Sequence, residues 1–185
     1  HRNFIFNEER GFIFAFVPKV ACTNWKSLLR LMAGHADWLD KRLAHDVANG
    51  GLRYLDPTGP EAALLQDPGI RRYAMVRHPV TRTLSAYLNK IAPRLPVKAP
   101  GDGDHFDHCT RRIEAFRKRQ LDRQAHPAVS FPVFVQWLSR AQGRPTGDPH
   151  WAPQSDLLRI GAIRYDYIGR FEALETDARI ILDAM

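Results

Sequence analysis

Residues 11–32 read GFIFAFVPKVACTNWKSLLRLM, and the rest of the fold is organised around them. Ile13–Val17 is an uninterrupted apolar run that stops at a proline, which predicts a short buried strand. After it, apolar residues recur with the spacing of one helix face: Trp25, Leu28, Leu29 and Met32. A tight turn with Lys19 joins the two elements, and Thr23 or Asn24 is placed to cap the helix.

This order of strand, turn and helix predicts an anion-binding site, which we call the cradle (residues 18–24). Backbone N–H groups at a helix N-terminus lie at the positive end of the helix dipole, and Lys19 adds a full charge. The G-x-x-x-x-G-K-[ST] pattern of nucleotide triphosphatases is missing from the sequence. The cradle is therefore not the phosphate loop of that class.

A second buried strand is predicted at Arg72–Val76, and it delivers Arg77 at its C-terminal end. Ligands of open α/β sheets bind beyond the carboxyl ends of the strands, so Lys19 and Arg77 are expected to face one crevice. The helix after Pro79 is expected to leave Arg82 and Ser85 on its outer face. Its predicted buried face consists of Leu84, Tyr87, Leu88 and Ile91.

The remaining pattern predicts an α/β protein with a mostly parallel central sheet flanked by helices. Asn3–Phe6 forms a hairpin with the first strand, while residues 34–60 are polar and irregular. A late strand at Tyr165–Phe171 precedes a helix over about 174–182. At 185 residues the chain is expected to be a single domain, 1–185, with a loop–helix excursion over 93–128 and a turn-rich connector at 142–147.

The overall composition of the chain says more about its binding partners than about its fold. A hydrophobic content of 44% and a charged content of 25% are ordinary for a globular protein. The formal charge of +7 suits a polyanionic cofactor, an acidic glycan, nucleic acid or an anionic membrane. No apolar run of about 18 residues and no signal peptide is evident in the sequence. The chain opens within a strand pattern and stops within a helix pattern, so we expect it to be trimmed at both ends.

Four stretches together resemble sulfotransferases. Residues 18–26, PKVACTNWK, are similar to the 5′-phosphosulfate-binding loop of carbohydrate sulfotransferases of the HNK-1 and chondroitin 4-O type, which form sulfotransferase family 2. Residues 77–87, RHPVTRTLSAY, resemble the 3′-phosphate motif of that family, with Arg77 and Ser85 at its spacing of eight. Residues 148–151 and 165–172 look like further landmarks in the same order. The resemblance spans roughly residues 11–182.

The resemblance implies a P-loop-like, three-layer α/β fold and an enzyme. It would transfer a sulfuryl group from 3′-phosphoadenosine 5′-phosphosulfate to a hydroxyl group, for which the resemblance implies a carbohydrate, without a metal ion. Lys19 would stabilise negative charge on the departing phosphate. The residues that would bind the donor are Lys19, Val20, Ala21, Cys22, Thr23, Asn24, Arg77 and Ser85.

A base must take the proton of the acceptor hydroxyl, and histidine titrates in the right range. His45 lies between the two phosphate motifs, at about the place where related carbohydrate sulfotransferases carry a histidine. We therefore expect His45 to be the base, with His150 and His35 as the alternatives. Trp151 could equally stack on a ligand ring or lie in the core.

Other interpretations stay open on the sequence. The cradle could serve a nucleotide kinase, although no Walker-type loop is present, and the basic charge could serve a nucleic-acid-binding module, although no binding motif is present. Cationic residues over 111–123 form either a solvated helix face or a surface for an anionic acceptor. His105, His108 and Cys109 suggest a metal site that lacks a fourth ligand nearby. With two cysteines and no disulfide framework, we expect a cytoplasmic enzyme, or one of the Golgi lumen if an N-terminal anchor was removed.

Overall fold

The computed structural model describes residues 3–97, 103–140 and 148–185. It divides into two compact units, one formed by His1–His78 with Pro153–Met185 and the other by Pro79–Ala152. We describe each unit by itself, and the single domain over 1–185 stays a prediction. The predicted excursion over 93–128 falls within the second unit. Residues 98–102 of that excursion and the connector at 142–147 lie outside the described residues.

The first unit contains a sheet, and the described residues contribute five strands to it in the order β3-β1-β2-β4-β5. The strands are β1 (Phe4–Asn7), β2 (Phe12–Ala15), β3 (Arg53–Leu55), β4 (Arg71–Val76) and β5 (Tyr167–Arg170). The pairs β2–β4 and β4–β5 are parallel, whereas β1–β2 and β1–β3 are antiparallel. The sheet is therefore mixed, and the expectation of a mostly parallel sheet is only partly right.

The antiparallel half of the sheet has a local cause. The short connection between β1 and β2 makes a hairpin, as predicted, and a hairpin reverses the chain direction. The strand β3 was missed, because three residues in a polar stretch do not produce a readable alternation. β3 pairs with the edge of β1 that does not pair with β2, so both strands of the hairpin are inner strands of the sheet.

The core of the first unit follows from the apolar run in β2. All four residues of β2 are buried, which is typical of a strand covered on both faces. The helix α1 (Cys22–Met32) packs there, and its Trp25 ring stacks on Phe14 with ring centroids 4.5 Å apart. The unit also contains α5 (Gln154–Leu158) and α6 (Leu174–Ala184), and the latter confirms the predicted late helix.

The second unit consists of helices. They are α2 (Pro79–Ala86), which continues into a π-helical turn (Tyr87–Ile91), α3 (His105–Gln120) and α4 (Phe131–Arg140). The Asp104 side chain caps α3 by accepting hydrogen bonds from two backbone N–H groups, and Asp107 completes a capping box. These helices bury a common core that includes Tyr87, Ile113, Phe134 and Trp137.

The predicted buried face of α2 is partly wrong. Leu84 and Leu88 are 37% and 57% exposed, while Arg82 is buried. The wider π-helical turn shifts the angular position of the residues after Ala86, which accounts for the exposure of Leu88, whereas Leu84 precedes this turn. Arg82 is buried because its guanidinium donates to the backbone oxygens of Ala152, at 2.9 Å, and Pro149, at 2.7 Å.

Candidate functional site

The cradle loop has an unusual backbone. Lys19 and Ala21 both adopt the left-handed conformation, with φ of 71° and 52°. A left-handed backbone outside glycine costs about 1–3 kcal/mol per residue, so the surrounding structure holds this loop in place. Turns of this kind direct successive N–H groups to one side and form a concave site for anions. The strand, turn and helix of the cradle are therefore present as the sequence predicted, and anion binding by this loop stays a prediction.

The helix that follows the loop begins two or three residues earlier than predicted. Ala21 occupies the N-cap position, and within the described part of the chain no side chain caps the helix. Thr23 and Asn24 lie in the first turn instead, so the prediction that one of them is the cap is wrong. The left-handed Ala21 starts the helix before either hydroxyl or amide reaches a capping position. The N–H groups of this turn have no acceptor within the helix, and the turn carries no acidic side chain.

His45 lies at the cradle. Its Nε2 atom is 2.8 Å from the Thr23 hydroxyl oxygen, and the two residues are 22 positions apart in sequence. A short 3-10 helix, Leu43–His45, presents the imidazole, which is exposed. The structure thus brings the proposed base to a residue of the proposed donor site.

A buried arginine holds in place the segment between α1 and β3, which carries His45. Arg30, on α1, donates a hydrogen bond to the Gly50 carbonyl oxygen and forms an ion pair with Asp37. Asp46 closes the turn from the other side, because its carboxylate accepts hydrogen bonds from the backbone of Asn49 and Ala48. Hydrogen bonds from the Asn49 side chain and backbone hold the pKa of Asp46 below its usual value. These contacts fix the path of the chain between α1 and β3.

The same segment yields a prediction at Gly50. A Cβ atom there would clash with the backbone carbonyl oxygens of Leu43 and Asp46. Gly50→Ala is therefore expected to cost about 1–3 kcal/mol of stability and to lower the melting temperature by roughly 3–10 °C. Val47→Ala, at an exposed position of the same segment, is the matched control and is expected to change little. Equal melting temperatures for Gly50→Ala and the wild type would show that the turn accommodates the added Cβ atom without cost, and would contradict the prediction.

Arg77 connects the second motif to the first. Its Nη1 atom donates a hydrogen bond to the Lys19 carbonyl oxygen at 3.2 Å, and its guanidinium lies 4.5 Å from the Phe171 ring centroid. The Gln154 amide holds the Arg77 backbone from both sides, accepting from its N–H at 3.0 Å and donating to its carbonyl at 2.7 Å. Arg77 therefore contacts the cradle backbone, and a common crevice for the Lys19 and Arg77 side chains stays a prediction.

The residues that hold Arg77 were not assigned this role from the sequence. Val76 pairs with Arg170 in the parallel register of β4 and β5, so the residues after both strands are neighbours. Glu172 accepts a hydrogen bond from the His78 backbone N–H at 2.8 Å. That bond, with smaller effects of the nearby Arg77 and His78 charges, holds the pKa of Glu172 below its usual value. The late landmark supplied a signal for Phe171 and Glu172, whereas nothing in the sequence indicated Gln154.

The other histidine candidates have different surroundings. The His35 Nε2 atom is 3.2 Å from the Gly51 carbonyl oxygen, which places His35 among the contacts of the His45 segment. In the second unit, the buried Asp148 carboxylate contacts His150 Nδ1 at 2.7 Å and His105 Nε2 at 2.8 Å. Burial acts to raise the pKa of Asp148, but the hydrogen bonds from His150 and His105 outweigh it and lower that pKa. His150 is therefore an oriented imidazole and stays the second candidate for the base.

The structure bears differently on Trp151, on Ser85 and on the metal site that the sequence suggested. Trp151 belongs to the core, with its ring 5.5 Å from that of Phe134, which decides between the two interpretations of this tryptophan. Ser85 lies on α2, and only its place in the motif supports its role in donor binding. Across residues 3–97, 103–140 and 148–185, no group of three or more His, Cys, Asp or Glu side chains is arranged to hold a metal ion.

Comparison with known proteins gives relatives along nearly the whole chain. It is 31% identical to human carbohydrate sulfotransferase 14 over 186 residues, which cover 98% of this chain and 46% of the relative. It is 32% identical to human carbohydrate sulfotransferase 8, with 98% and 42% covered, and 28% identical to rat carbohydrate sulfotransferase 11, with 98% and 52% covered. The chain thus spans about half the length of the curated relatives it matches.

These relatives correct the expected location. Carbohydrate sulfotransferases are Golgi membrane enzymes, so the expectation of a cytoplasmic enzyme is wrong, and the Golgi lumen fits these relatives better. The number of cysteines misled the prediction, because a pair of thiols does not identify a compartment by itself. None of the helices in the described residues is long and apolar enough to cross a membrane.

No solved structure matches this chain significantly. The sequence profile described as "Sulfotransferase family" matches residues 2–185, which is nearly the full length. This match agrees with the two phosphate motifs and with the cradle that the fold builds from them. The chain belongs to the sulfotransferase family.

Proposed function

We propose that this chain transfers a sulfuryl group from 3′-phosphoadenosine 5′-phosphosulfate to a hydroxyl group of a carbohydrate. The observation that carries the proposal is the hydrogen bond between Arg77 and the Lys19 carbonyl oxygen, at 3.2 Å. This bond joins the residue expected to read the 3′-phosphate to the loop expected to hold the 5′-phosphosulfate. A donor with phosphate groups at both positions matches such a pair.

The cradle residues fit this donor. Sulfotransferases use this compound as their sulfate donor, and the cradle offers it the backbone N–H groups of a helix N-terminus without acidic side chains. Arg77 contributes a guanidinium with the fork geometry that suits phosphate. The proposed donor-binding residues are Lys19, Val20, Ala21, Cys22, Thr23, Asn24 and Arg77, with Ser85 assigned from its motif.

The chemical roles follow from the charges that the reaction creates. When bound, the donor supplies an activated sulfuryl group. The Lys19 ammonium stabilises the negative charge that develops on the phosphate as the sulfuryl group leaves. His45 accepts the proton that the acceptor hydroxyl loses as its oxygen attacks. Such a transfer depends mainly on positioning and charge stabilisation, and the proposal includes no metal ion.

The acceptor class rests on the relatives. Those named above are all called carbohydrate sulfotransferases, which supports a glycan hydroxyl as the acceptor. Membership of the family does not favour the nucleotide-kinase interpretation or the nucleic-acid-binding interpretation. The identity of the glycan is left to an acceptor panel assayed with radiolabelled donor.

The donor assignment is tested by thermal unfolding with nucleotides. We expect 3′-phosphoadenosine 5′-phosphate to raise the melting temperature more than AMP or ATP, because only it offers phosphates to both motifs. At about 100 times its dissociation constant the added stability is about 2.7 kcal/mol, or roughly 5–10 °C. Arg77→Met should remove its advantage over AMP. Equal shifts from AMP and the bisphosphate in the wild type would refute the donor assignment.

A further inference from the structure

Lys26 is a buried lysine one helical turn after the cradle. The residue is only 4% exposed. Its Nζ atom lies 3.9 Å from the centroid of the Phe16 ring and 5.4 Å from that of the Tyr54 ring. Phe16 lies two residues before the cradle. Tyr54 belongs to β3, the strand that was not predicted from the sequence.

The ammonium of Lys26 has no anionic partner within the described part of the chain. Among residues 3–97, 103–140 and 148–185, it forms no ion pair with a carboxylate, and it lies against the two aromatic rings. Removing an ammonium from water is costly, and contact with aromatic faces recovers only part of that cost. Burial accordingly lowers the pKa of Lys26, with a smaller opposing effect of Cys22. This position therefore holds a cation that the fold leaves without a counter-charge.

The surroundings of this ammonium point to the cradle. Side chains on a helix lean toward its N-terminus, so Lys26 lies over the turn that contains Cys22. The titratable groups that face it are Cys22 on the same helix and Tyr54 on β3. Burial, and to a smaller extent Cys22, raise the pKa of Tyr54 to about 12, so this phenol stays neutral near pH 7. The Tyr54 phenol therefore supplies no negative charge to Lys26 near pH 7.

We propose that Lys26 is a second cation of the cradle and that its counter-charge is the anionic phosphate end of the donor. The inference rests on the proposed function and adds to it a specific binding residue. Phosphate oxygens near the helix N-terminus would give the buried ammonium the partner that it lacks. Because that partner favours the charged lysine, donor binding and proton uptake at Lys26 are coupled.

The test compares Lys26→Met with Lys41→Met, a substitution of an exposed lysine of the same unit. Methionine keeps an unbranched chain on the two rings and removes the charge. Lys26→Met is expected to weaken binding of 3′-phosphoadenosine 5′-phosphate about 10- to 100-fold, without lowering the melting temperature of the ligand-free protein. Lys41→Met should leave both quantities unchanged. Unchanged affinity in Lys26→Met, with or without a lower melting temperature, overturns the proposal in favour of a structural lysine.

A second measurement has its main readout in the wild type. Calorimetric titration of the wild type with the same bisphosphate, above pH 8 in buffers of different ionisation enthalpy, reports protons taken up on binding. We expect uptake by the wild type and its loss in Lys26→Met. Binding by the wild type without uptake at any pH up to the titration range of free lysine overturns the role of Lys26 while leaving the proposed function in place. Failure of the wild type to prefer the bisphosphate over AMP overturns both.

Discussion

Lys19→Ala is expected to lower turnover by about two orders of magnitude or more while the protein stays folded. The proposed reaction places negative charge on the departing phosphate, and removing one preorganised charge-stabilising group typically costs about 10²–10³ in rate. The Lys19 carbonyl oxygen, which Arg77 contacts, is a backbone atom and is retained in the variant. The loss is therefore assigned to the ammonium alone.

The backbone at this position allows a second variant that separates strain from chemistry. Lys19 has a φ of 71°, which glycine adopts without strain. Lys19→Gly is expected to raise the melting temperature or leave it unchanged, and to lose as much turnover as Lys19→Ala. Lys41→Ala, at an exposed lysine of the same unit, serves as the charge control in initial-rate assays with donor and glycan acceptor. Near-normal turnover in Lys19→Ala would remove Lys19 from the mechanism.

The cradle was predictable because its signals are local. An apolar run, a turn and a 3.6-residue period all lie within residues 11–32, and the fold realises them as β2, a left-handed loop and α1. The position of the helix start was not predictable to the residue. It depends on the backbone conformation of Ala21, and alanine carries no sequence signal for a left-handed φ.

The rest of the site depends on contacts between distant residues. Thr23 meets His45 only because Arg30 and Asp46 fix the intervening segment, and neither residue stands out in the sequence. Gln154 supports Arg77 although the two residues are 77 positions apart in the sequence. The periodicity of apolar residues gives no information about such a contact. The burial of Lys26 was not predictable for the same reason, since it involves Tyr54 in a strand of three residues.

The contact between Thr23 and His45 adds a requirement to the proposed base. A Thr23 hydroxyl that donates its proton to a phosphate can only accept a hydrogen bond from His45. The His45 Nε2 atom, at 2.8 Å, then carries the hydrogen, and Nδ1 carries the lone pair that takes the acceptor's proton. Donor binding would thus select the His45 tautomer in which Nδ1 is the basic atom.

Thr23→Val removes the hydroxyl that orients His45 and should reduce turnover. Thr23→Ser keeps the hydroxyl and should not.

His45→Ala is accordingly expected to lower turnover by about 10²–10⁴-fold. The dissociation constant of 3′-phosphoadenosine 5′-phosphate should change far less, because His45 would contact the acceptor's proton and the Thr23 hydroxyl but not the nucleotide. The wild type should lose turnover as the pH falls, since a protonated imidazole cannot take a proton, and His45→Ala should lose this dependence.

Two matched histidine variants complete the test of the base. His150→Ala removes an imidazole that Asp148 orients in the second unit, and His35→Ala removes one that contacts the Gly51 backbone. If His45 is the base, both variants keep the acidic limb of the pH profile, because neither removes the group that titrates. If His45→Ala stays active with an unchanged profile and His150→Ala loses the limb, the base is His150. A buried carboxylate that accepts from His150 Nδ1 would then orient the catalytic imidazole, with Nε2 as the basic atom.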